Sequence, residues 1–308
     1  EALKEYQHLK GEKPESKQGK TRAKLVSDLL ELFGDLPIEQ YTRAHANEFR
    51  DHMLARGITT ASVLRCLSAV KPIFRIIAKE HEIDHRGAFD EVHIPNQGND
   101  SKERLPFTIK ELRLIQAECL KKDDDVRWIA ALLSDSGMRI AEAVGLKVED
   151  IFLGEAFPYV RLRPSEVRGL KTRGSERMVP LVGASLWAAK RALEHAQNGF
   201  LFPRYINFKP KPYEHKATHA SNTLNKWVKR FQQAGDTAKT MHCFRHAVQD
   251  RLRDAQVSEE IRNSICGWQG KGMGANYGQG FSIEVLTEHH RKIVNQDLFP
   301  DNNNQPNQ

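Results

Sequence analysis

Apolar residues recur at helical spacing through the first part of the chain. Leu25, Leu29 and Leu32 lie at helical spacing in the segment from Thr21 to Phe33, which Gly34 stops. Two later segments repeat the pattern. One follows a threonine at position 42 that suits an N-cap, and the other starts near position 60 and contains a proline. The pattern predicts a small, wholly helical domain.

The pattern changes further along the chain. Thr108 and Glu111 have the spacing of a capping box at the start of a helix. Residues 159–163 and 177–181 alternate apolar and polar positions, as short strands do. The basic segment between them, 164–176, contains two glycines and predicts a hairpin or a loop. We therefore expect a mainly α fold with a small antiparallel β-sheet, in the α+β class.

Polar segments separate these regions. Residues 1–20 are rich in Lys, Glu and Gln and predict a mobile N-terminal arm. Turn-forming residues over 95–104 predict a linker between a helical domain, 21–94, and a second domain, 105–300. Residues 301–308 are rich in Asn and Gln and predict a disordered tail.

The composition narrows the class of protein. Of 308 residues, 39% are hydrophobic and 28% are charged, which argues against wholesale disorder. No apolar run approaches the ~18 residues that a membrane span needs. No two cysteines form a C-x-x-C pair, so we expect reduced, buried thiols rather than a disulfide framework at Cys66, Cys119, Cys243 and Cys266.

Basic residues are concentrated in the middle of the chain. Residues 151–250 carry 17 basic and 7 acidic side chains, whereas residues 1–100 carry 15 and 16. Such a cluster is expected of a protein that binds a polyanion, because each neutralised phosphate releases condensed counterions. A solvated surface would have the same charge, so the motifs must decide between the two.

Four short patterns in the second domain carry candidate chemistry. They are SGMRIAEAVGL at 136–146, GLKTRGSERMVPL at 169–181, HCFRH at 242–246, and GW at 267–268 followed nine positions later by a tyrosine. Arginine suits the binding of oxyanions, because its guanidinium is planar and always charged. Histidine titrates near neutral pH, and tyrosine can act as a covalent nucleophile.

Taken together and in this order, the patterns resemble the tyrosine recombinase (phage integrase) family over most of residues 104–295. The first domain is similar to that family's helical core-binding domain, and the second to its catalytic domain. The family pattern is an arginine before a helix, a hairpin lysine, a His-x-x-Arg pair, a His or Trp, and a tyrosine. In this chain it falls on Arg139, Lys171, His242, Arg245, Trp268 and Tyr277.

The resemblance implies a role for each residue. Arg139 and Arg245 would bind the non-bridging oxygens of the scissile phosphate. Glu142, three residues after Arg139, is expected to hold Arg139 or a backbone group rather than to touch substrate. Tyr277, which lies among glycines, would be the nucleophile. His242 would hydrogen-bond the phosphate or handle a proton.

Lys171 would be the general acid that protonates the departing 5′ oxygen. A lysine suits this role only if neighbouring positive charge lowers its pKa, and the segment has three basic neighbours at Arg168, Arg173 and Arg177. Lys171 could also be a lysine that contacts a phosphate or is merely solvated.

His246 and Trp268 depart from the simplest expectations. His246 stands four residues after His242, the spacing of a zinc-binding H-E-x-x-H helix, but Cys243 takes the place of the required glutamate. We therefore expect His246 to be structural. Trp268 stands where most family members have a histidine. Its indole N–H can donate a hydrogen bond or the ring can pack, but it cannot shuttle a proton.

The implied reaction is strand exchange by two transesterifications through a 3′-phosphotyrosine, with no metal, ATP or other cofactor. The implied partner is double-stranded DNA, held between the two domains, with a tetramer assembled on two DNA sites. Accessory DNA-bending or directionality factors are further candidate partners. Such a protein would work in the cytoplasm, at the nucleoid.

Three other functions stay open on the sequence. A topoisomerase-IB-like enzyme would use a similar set of residues but rejoin the original DNA ends. A non-catalytic site-specific DNA-binding protein could retain the fold, and replacing Tyr277 with Phe would then change no activity. A metal-dependent hydrolase built on His242 and His246 would lose its function to a chelator.

Overall fold

The chain forms two compact units, Glu1–Glu103 and Arg104–Gln308, in the computed structural model. The structure describes residues 1–84, 87–101, 105–169, 175–232, 239–268 and 280–300. Two of the six sequence-predicted site residues, Lys171 and Tyr277, lie outside these described ranges.

The described part of the first unit is helical. Gly34 follows the second helix with φ 77°, and Thr42 is the N-cap of the third. At the centre of the unit Phe74 stacks on Phe89 with ring centroids 4.4 Å apart, and Tyr41 packs edge-on against Phe74. The helices are α1 (Ala2–Lys10), α2 (Lys17–Phe33), α3 (Arg43–Ala55) and α4 (Thr60–Glu80), with a 3-10 turn at Ile38–Gln40.

The N-terminal segment differs from the predicted mobile arm. Helix α1 occupies most of its first half, and α2 begins before its end. Tyr6 of α1 is buried and packs with Ile73 and Ile77 of α4, and the guanidinium of Arg22 lies 4.8 Å from the Tyr6 ring centroid. An amphipathic helix needs only a narrow apolar stripe for such packing, so a polar composition concealed it.

The second unit combines helices with two small sheets. Its helices are α5 (Ile109–Lys122), α6 (Asp125–Ser136), α7 (Ile140–Val144), α8 (Gly183–Glu194), α9 (Ala217–Val228), α10 (Met241–Asp254), α11 (Glu259–Cys266) and α12 (Ile283–Arg291). Its strands are β1 (Ile151–Phe152), β2 (Tyr159–Leu162), β3 (Arg177–Pro180), β4 (Ile206–Asn207) and β5 (Glu214–His215).

Helix α6 forms the centre of the second unit, because it packs against α5, α8 and α10. The predicted capping box starts α5. The Glu111 carboxylate accepts the Thr108 N–H at 2.7 Å, and the Thr108 hydroxyl accepts the Glu111 N–H at 3.2 Å. None of the helices among the described residues is both long and apolar enough to cross a membrane.

The larger sheet of the second unit has three strands. Its strands run antiparallel in the order β1-β2-β3, with Tyr159 opposite Pro180 and Leu162 opposite Arg177. The two predicted strands are thus confirmed to within one residue, and so is the mainly α fold with a small antiparallel β-sheet. Residues 170–174 of the connection between β2 and β3 lie outside the described residues.

The cysteines are free thiols, as expected. Three are buried, Cys119, Cys243 and Cys266, and Cys66 is half-buried. Burial raises the pKa of the Cys66 and Cys266 thiols, which disfavours their reactive thiolate forms.

Candidate active site

Arg139 is held at the start of a short helix. It is the N-cap of α7, and its guanidinium donates to the Glu142 carboxylate at 2.6 Å. The other Glu142 oxygen accepts the backbone N–H of Arg139 at 2.8 Å. Glu142 thus holds both the side chain and the backbone N–H of Arg139. About a quarter of the Arg139 side chain, 26%, stays exposed, so part of its charge can meet a ligand.

Glu142 is shared between two arginines. Arg177, the first residue of β3, donates to the two carboxylate oxygens at 3.1 and 3.4 Å. Burial raises the pKa of the Glu142 carboxyl. Arg177 and Arg139 outweigh that effect and hold the pKa below its ordinary value. Glu142 is therefore an ionised carboxylate inside a cluster of positive charge.

Arg245 lies deeper than Arg139. It projects from α10 and is 1% exposed. Its guanidinium donates to the Gly137 carbonyl at 2.7 Å and to the Gly267 carbonyl at 3.4 Å, and it lies 5.5 Å from the Trp268 ring centroid. Within the described part of the chain, no carboxylate pairs with it directly.

This isolation lowers the basicity of Arg245. Burial is the main reason that its pKa falls to about 10, and the positive charges of Arg177 and Arg139 contribute. Since a guanidinium stays charged at neutral pH even so, the protein holds an under-compensated cation at this point.

The start of α10 brings His242 to the same region. The His242 and His246 ring centroids lie 4.9 Å apart, with the rings nearly perpendicular, and His246 lies 6.4 Å from Trp268. Arg139 and His242 both line an open groove of about 340 Å³. The structure thus brings together Arg139, His242, Arg245 and Trp268, four of the six predicted site residues.

A metal centre is not evident among the described residues. No group of three or more His, Cys, Asp or Glu side chains in those ranges could hold an ion. His242 and His246 by themselves offer two ligands, whereas a catalytic zinc site ordinarily has three protein ligands.

Residues 107–281 match the family model described as the phage integrase family. The chain belongs to this family. The resemblance to the tyrosine recombinases, drawn above from the order of the motifs, is confirmed. A curated protein of Caldanaerobacter subterraneus subsp. tengcongensis, named as a tyrosine recombinase, is 21% identical over 142 residues. That match spans 45% of this chain and 44% of the relative, so the chain covers less than half of the relative's length.

Solved integrase structures share the fold. The Tn1549 transposon integrase, in complex with a circular intermediate DNA, is 18% identical with a TM-score of 0.66, over 94% of each chain. A lambda integrase dimer bound to a COC′ core site is 14% identical with a TM-score of 0.63, over 96% of this chain and 95% of that one. A lambda integrase tetramer bound to a Holliday junction is 16% identical with a TM-score of 0.63, over 88% of this chain and 77% of that one.

Two arginines near the lysine segment of this phage integrase family member differ from the sequence expectation. Arg168 was expected to lower the pKa of Lys171, but it is 1% exposed and pairs with Asp150 at 2.9 Å. Arg177 likewise points inward, to Glu142. Asp150 compensates much of the charge of Arg168, whereas Arg177 shares the single Glu142 carboxylate with Arg139. Sequence reasoning missed these pairs, since no local spacing reveals a partner that lies far along the chain.

Proposed function

We propose that the chain is a site-specific DNA recombinase that cleaves and rejoins DNA strands through a 3′-phosphotyrosine, without metal or ATP. One observation carries the proposal. Arg245 donates to the carbonyl of Gly137, two residues before Arg139, so one turn joins two arginines that are remote in sequence. Clustered guanidinium groups with little acidic compensation suit a phosphate that gains charge during reaction.

The two arginines supply the electrostatic part of catalysis in this proposal. The transition state at phosphorus carries more negative charge on its non-bridging oxygens than the ground state does. Arg139, partly exposed, and Arg245, buried, are fixed in advance by their protein partners, so they need little reorganisation as that charge develops. Loss of one such donor ordinarily slows a reaction roughly 100- to 1000-fold.

The remaining groups move the proton and form the bond. The Tyr277 oxygen attacks phosphorus, the bond to the 5′ oxygen breaks, and Lys171 gives that oxygen a proton. His242 hydrogen-bonds the phosphate or takes the phenolic proton, and Trp268 packs or donates from its indole N–H. The 5′-hydroxyl of a partner strand then displaces Tyr277. The phosphotyrosine conserves the bond energy, so no nucleotide is required.

The partners follow from the reaction. Double-stranded DNA is the substrate, and a tetramer on two sites would supply the four cleavage events of a full exchange. The family's solved structures include a lambda integrase dimer and tetramer on DNA. Accessory DNA-bending or directionality factors and a place at the cytoplasmic nucleoid belong to the same proposal.

Covalent trapping tests the proposal. The full chain is incubated in EDTA with a nicked duplex carrying a candidate attachment site, and an SDS-resistant DNA adduct is sought. We expect the adduct in the wild type and in Tyr213→Phe, which removes the hydroxyl of a tyrosine that packs against Phe200 and Phe208, and none in Tyr277→Phe. Binding without an adduct in any variant would instead indicate a non-catalytic DNA-binding protein.

A second duplex of different length distinguishes recombination from relaxation. A recombinase joins strands of the two duplexes and gives a product of new length. A topoisomerase-IB-like enzyme gives the adduct but restores only the original ends. Activity that appears only when EDTA is replaced by a divalent metal would support a metal-dependent hydrolase.

A further inference from the structure

Arg177 occupies the centre of the candidate site without facing solvent. Its side chain is only 6% exposed. Besides the two Glu142 oxygens, its guanidinium donates to the carbonyl of Ile265 at 2.9 Å and to the carbonyl of Ser175 at 2.9 Å. One planar side chain thus holds a carboxylate and two backbone acceptors at once, which a lysine with its single nitrogen cannot do in the same geometry.

The partners of Arg177 belong to three stretches of chain that carry proposed catalytic groups. Glu142 holds Arg139 by its side chain and backbone. Ser175 adjoins the segment that contains Lys171. Ile265 lies near the end of α11, three residues before Trp268. Arg177 therefore connects elements that no other single described side chain is seen to connect.

The backbone packs closely on the Arg177 guanidinium at Gly267. A Cβ built at that glycine would lie 2.7, 2.8 and 2.9 Å from three guanidinium atoms, and the backbone there has φ +69°. The carbonyl of Gly267 accepts a hydrogen bond from Arg245. Arg177 thus supports the peptide that helps to orient the second phosphate-binding arginine.

The charge of Arg177 also matters for Arg139. With Arg177 absent, the buried Glu142 carboxylate would have Arg139 as its main cationic partner, and that pair would be close to neutral. With Arg177 present, two arginines pair with one carboxylate, so the cluster keeps a positive excess for an incoming phosphate.

We propose that Arg177 is a positioning residue that orients both phosphate-binding arginines, acting on Arg139 through Glu142 and on Arg245 through the peptide at Gly267. This inference rests on the proposed recombinase function. Because its side chain is buried, Arg177 is not among the groups proposed to touch DNA. By sharing Glu142, it leaves part of the positive charge of Arg139 free to bind a phosphate. By supporting the Gly267 peptide, it keeps the Arg245 guanidinium in position.

The test compares two DNA substrates with the full chain. One nicked duplex has an ordinary scissile phosphate. In the other, a methylphosphonate replaces one charged non-bridging oxygen by a methyl group, so that cleavage depends less on the arginines. We expect Arg177→Met to bind DNA nearly as the wild type does but to cleave the phosphate roughly 10- to 100-fold more slowly. On the methylphosphonate the deficit should shrink several-fold. Arg177→Lys, which restores the charge, should recover part of the rate.

Arg168→Met is the matched control. Arg168 is as deeply buried and pairs with a carboxylate, Asp150, but it contacts neither Glu142 nor α11. Its removal should lower stability, and any fall in cleavage should be equal on the two substrates, because both have the same 5′ leaving oxygen. Rates are taken for protein that circular dichroism shows to be folded, and Arg177→Lys serves alone if Arg177→Met does not fold.

Three outcomes decide the question. A deficit in the Arg177 variants that is smaller on the methylphosphonate supports the positioning role. Equal deficits on both substrates, as in the control, would mean that Arg177 has a structural role only. If the wild type cleaves neither substrate, the recombinase function itself is overturned, and this inference with it.

Discussion

At the scale of single residues, Gly137 determines where Arg245 points. Its carbonyl accepts the shortest hydrogen bond of that guanidinium, and its backbone has φ +65°, a region that suits glycine. A Cβ at this position would lie 2.9 Å from the Cys266 sulfur and 3.2 Å from a methyl of Val248. The turn therefore tolerates no side chain, and the position of Arg245 depends on that.

Replacing Gly137 by Ala tests this dependence. The left-handed backbone costs about 1–3 kcal/mol of stability for a non-glycine residue, and the contact with Cys266 forces the turn to shift. We expect a lower free energy of unfolding in urea and a fall in single-turnover DNA cleavage that exceeds the loss of folded protein, because the Arg245 acceptor moves.

Gly199→Ala provides the comparison. Gly199 has φ +78°, but a Cβ there would meet nothing within 4 Å. This variant should therefore show the backbone cost alone, with cleavage per folded molecule unchanged. Equal cleavage by the two variants would contradict the link between the Gly137 turn and Arg245.

Local spacing explains which site contacts the sequence could reveal. Glu142 follows Arg139 by three residues on one short helix, so its role could be predicted from spacing alone. Arg177 reaches partners 35 and 88 residues away, at Glu142 and Ile265. Such pairs exist only once the sheet and helices have packed, and a single sequence holds no sign of them.

At the scale of elements, the sequence predicted helices and strands wherever residues close together in the chain carry the pattern. The capping box at Thr108 and the alternation in β2 and β3 predicted those elements within a residue or two. Helix α1 was missed because its stabilisation comes from packing on α4, through Tyr6, and not from its own composition. Residues 170–174 and 269–279, which contain Lys171 and Tyr277, lie outside the described residues. The roles of Lys171 and Tyr277 therefore stay predictions.

Helix α12, which follows the tyrosine segment, gives the fold a dependence on pH. Its His290 is fully buried, and burial together with the positive charge of Arg251 lowers its pKa to about 3. In the unfolded chain a histidine has a pKa of about 6.5, so the unfolded state takes up the proton first as pH falls. The contribution of the neutral His290 ring to the free energy of unfolding is therefore fully present above about pH 6.5 and is lost as the pH falls toward 3.

Urea unfolding across pH measures this effect. Between pH 6 and 4 the wild type should lose up to about 1.4 kcal/mol per pH unit through this residue. His290→Leu should lose less stability over the same range, whatever its offset from the wild type at pH 8. Parallel curves for the two proteins below pH 6 would show that His290 is not the titrating group.

At the scale of the whole molecule, the two units differ in charge and have cores of their own. One core in the first unit gathers around Phe49 and Phe74. The main core of the second unit gathers around α6 and includes Ile129 and Phe244. The basic excess lies in residues 151–250, which belong to the second unit. The linker prediction at 95–104 came from turn residues alone, and the division of the chain after Glu103 falls within it.

The second unit is therefore expected to fold without the first. A fragment spanning 104–308 should unfold in one cooperative transition, because the residues of its main core all belong to this fragment. Urea titration followed by circular dichroism and by tryptophan fluorescence checks this. Non-coincident transitions, or strong binding of a hydrophobic dye in buffer, would show that the fragment needs the rest of the chain.

The buried, under-compensated Arg245 limits how the protein can be engineered. A redesign that selects only for stability of the protein without DNA would tend to replace Arg245 with an apolar residue of similar length, because burying a cation is costly. Such a variant would gain stability but would lose the guanidinium that suits a phosphate. If the chain binds DNA as proposed, any stabilised version should be selected with DNA bound, so that the phosphate contributes to the balance of charge.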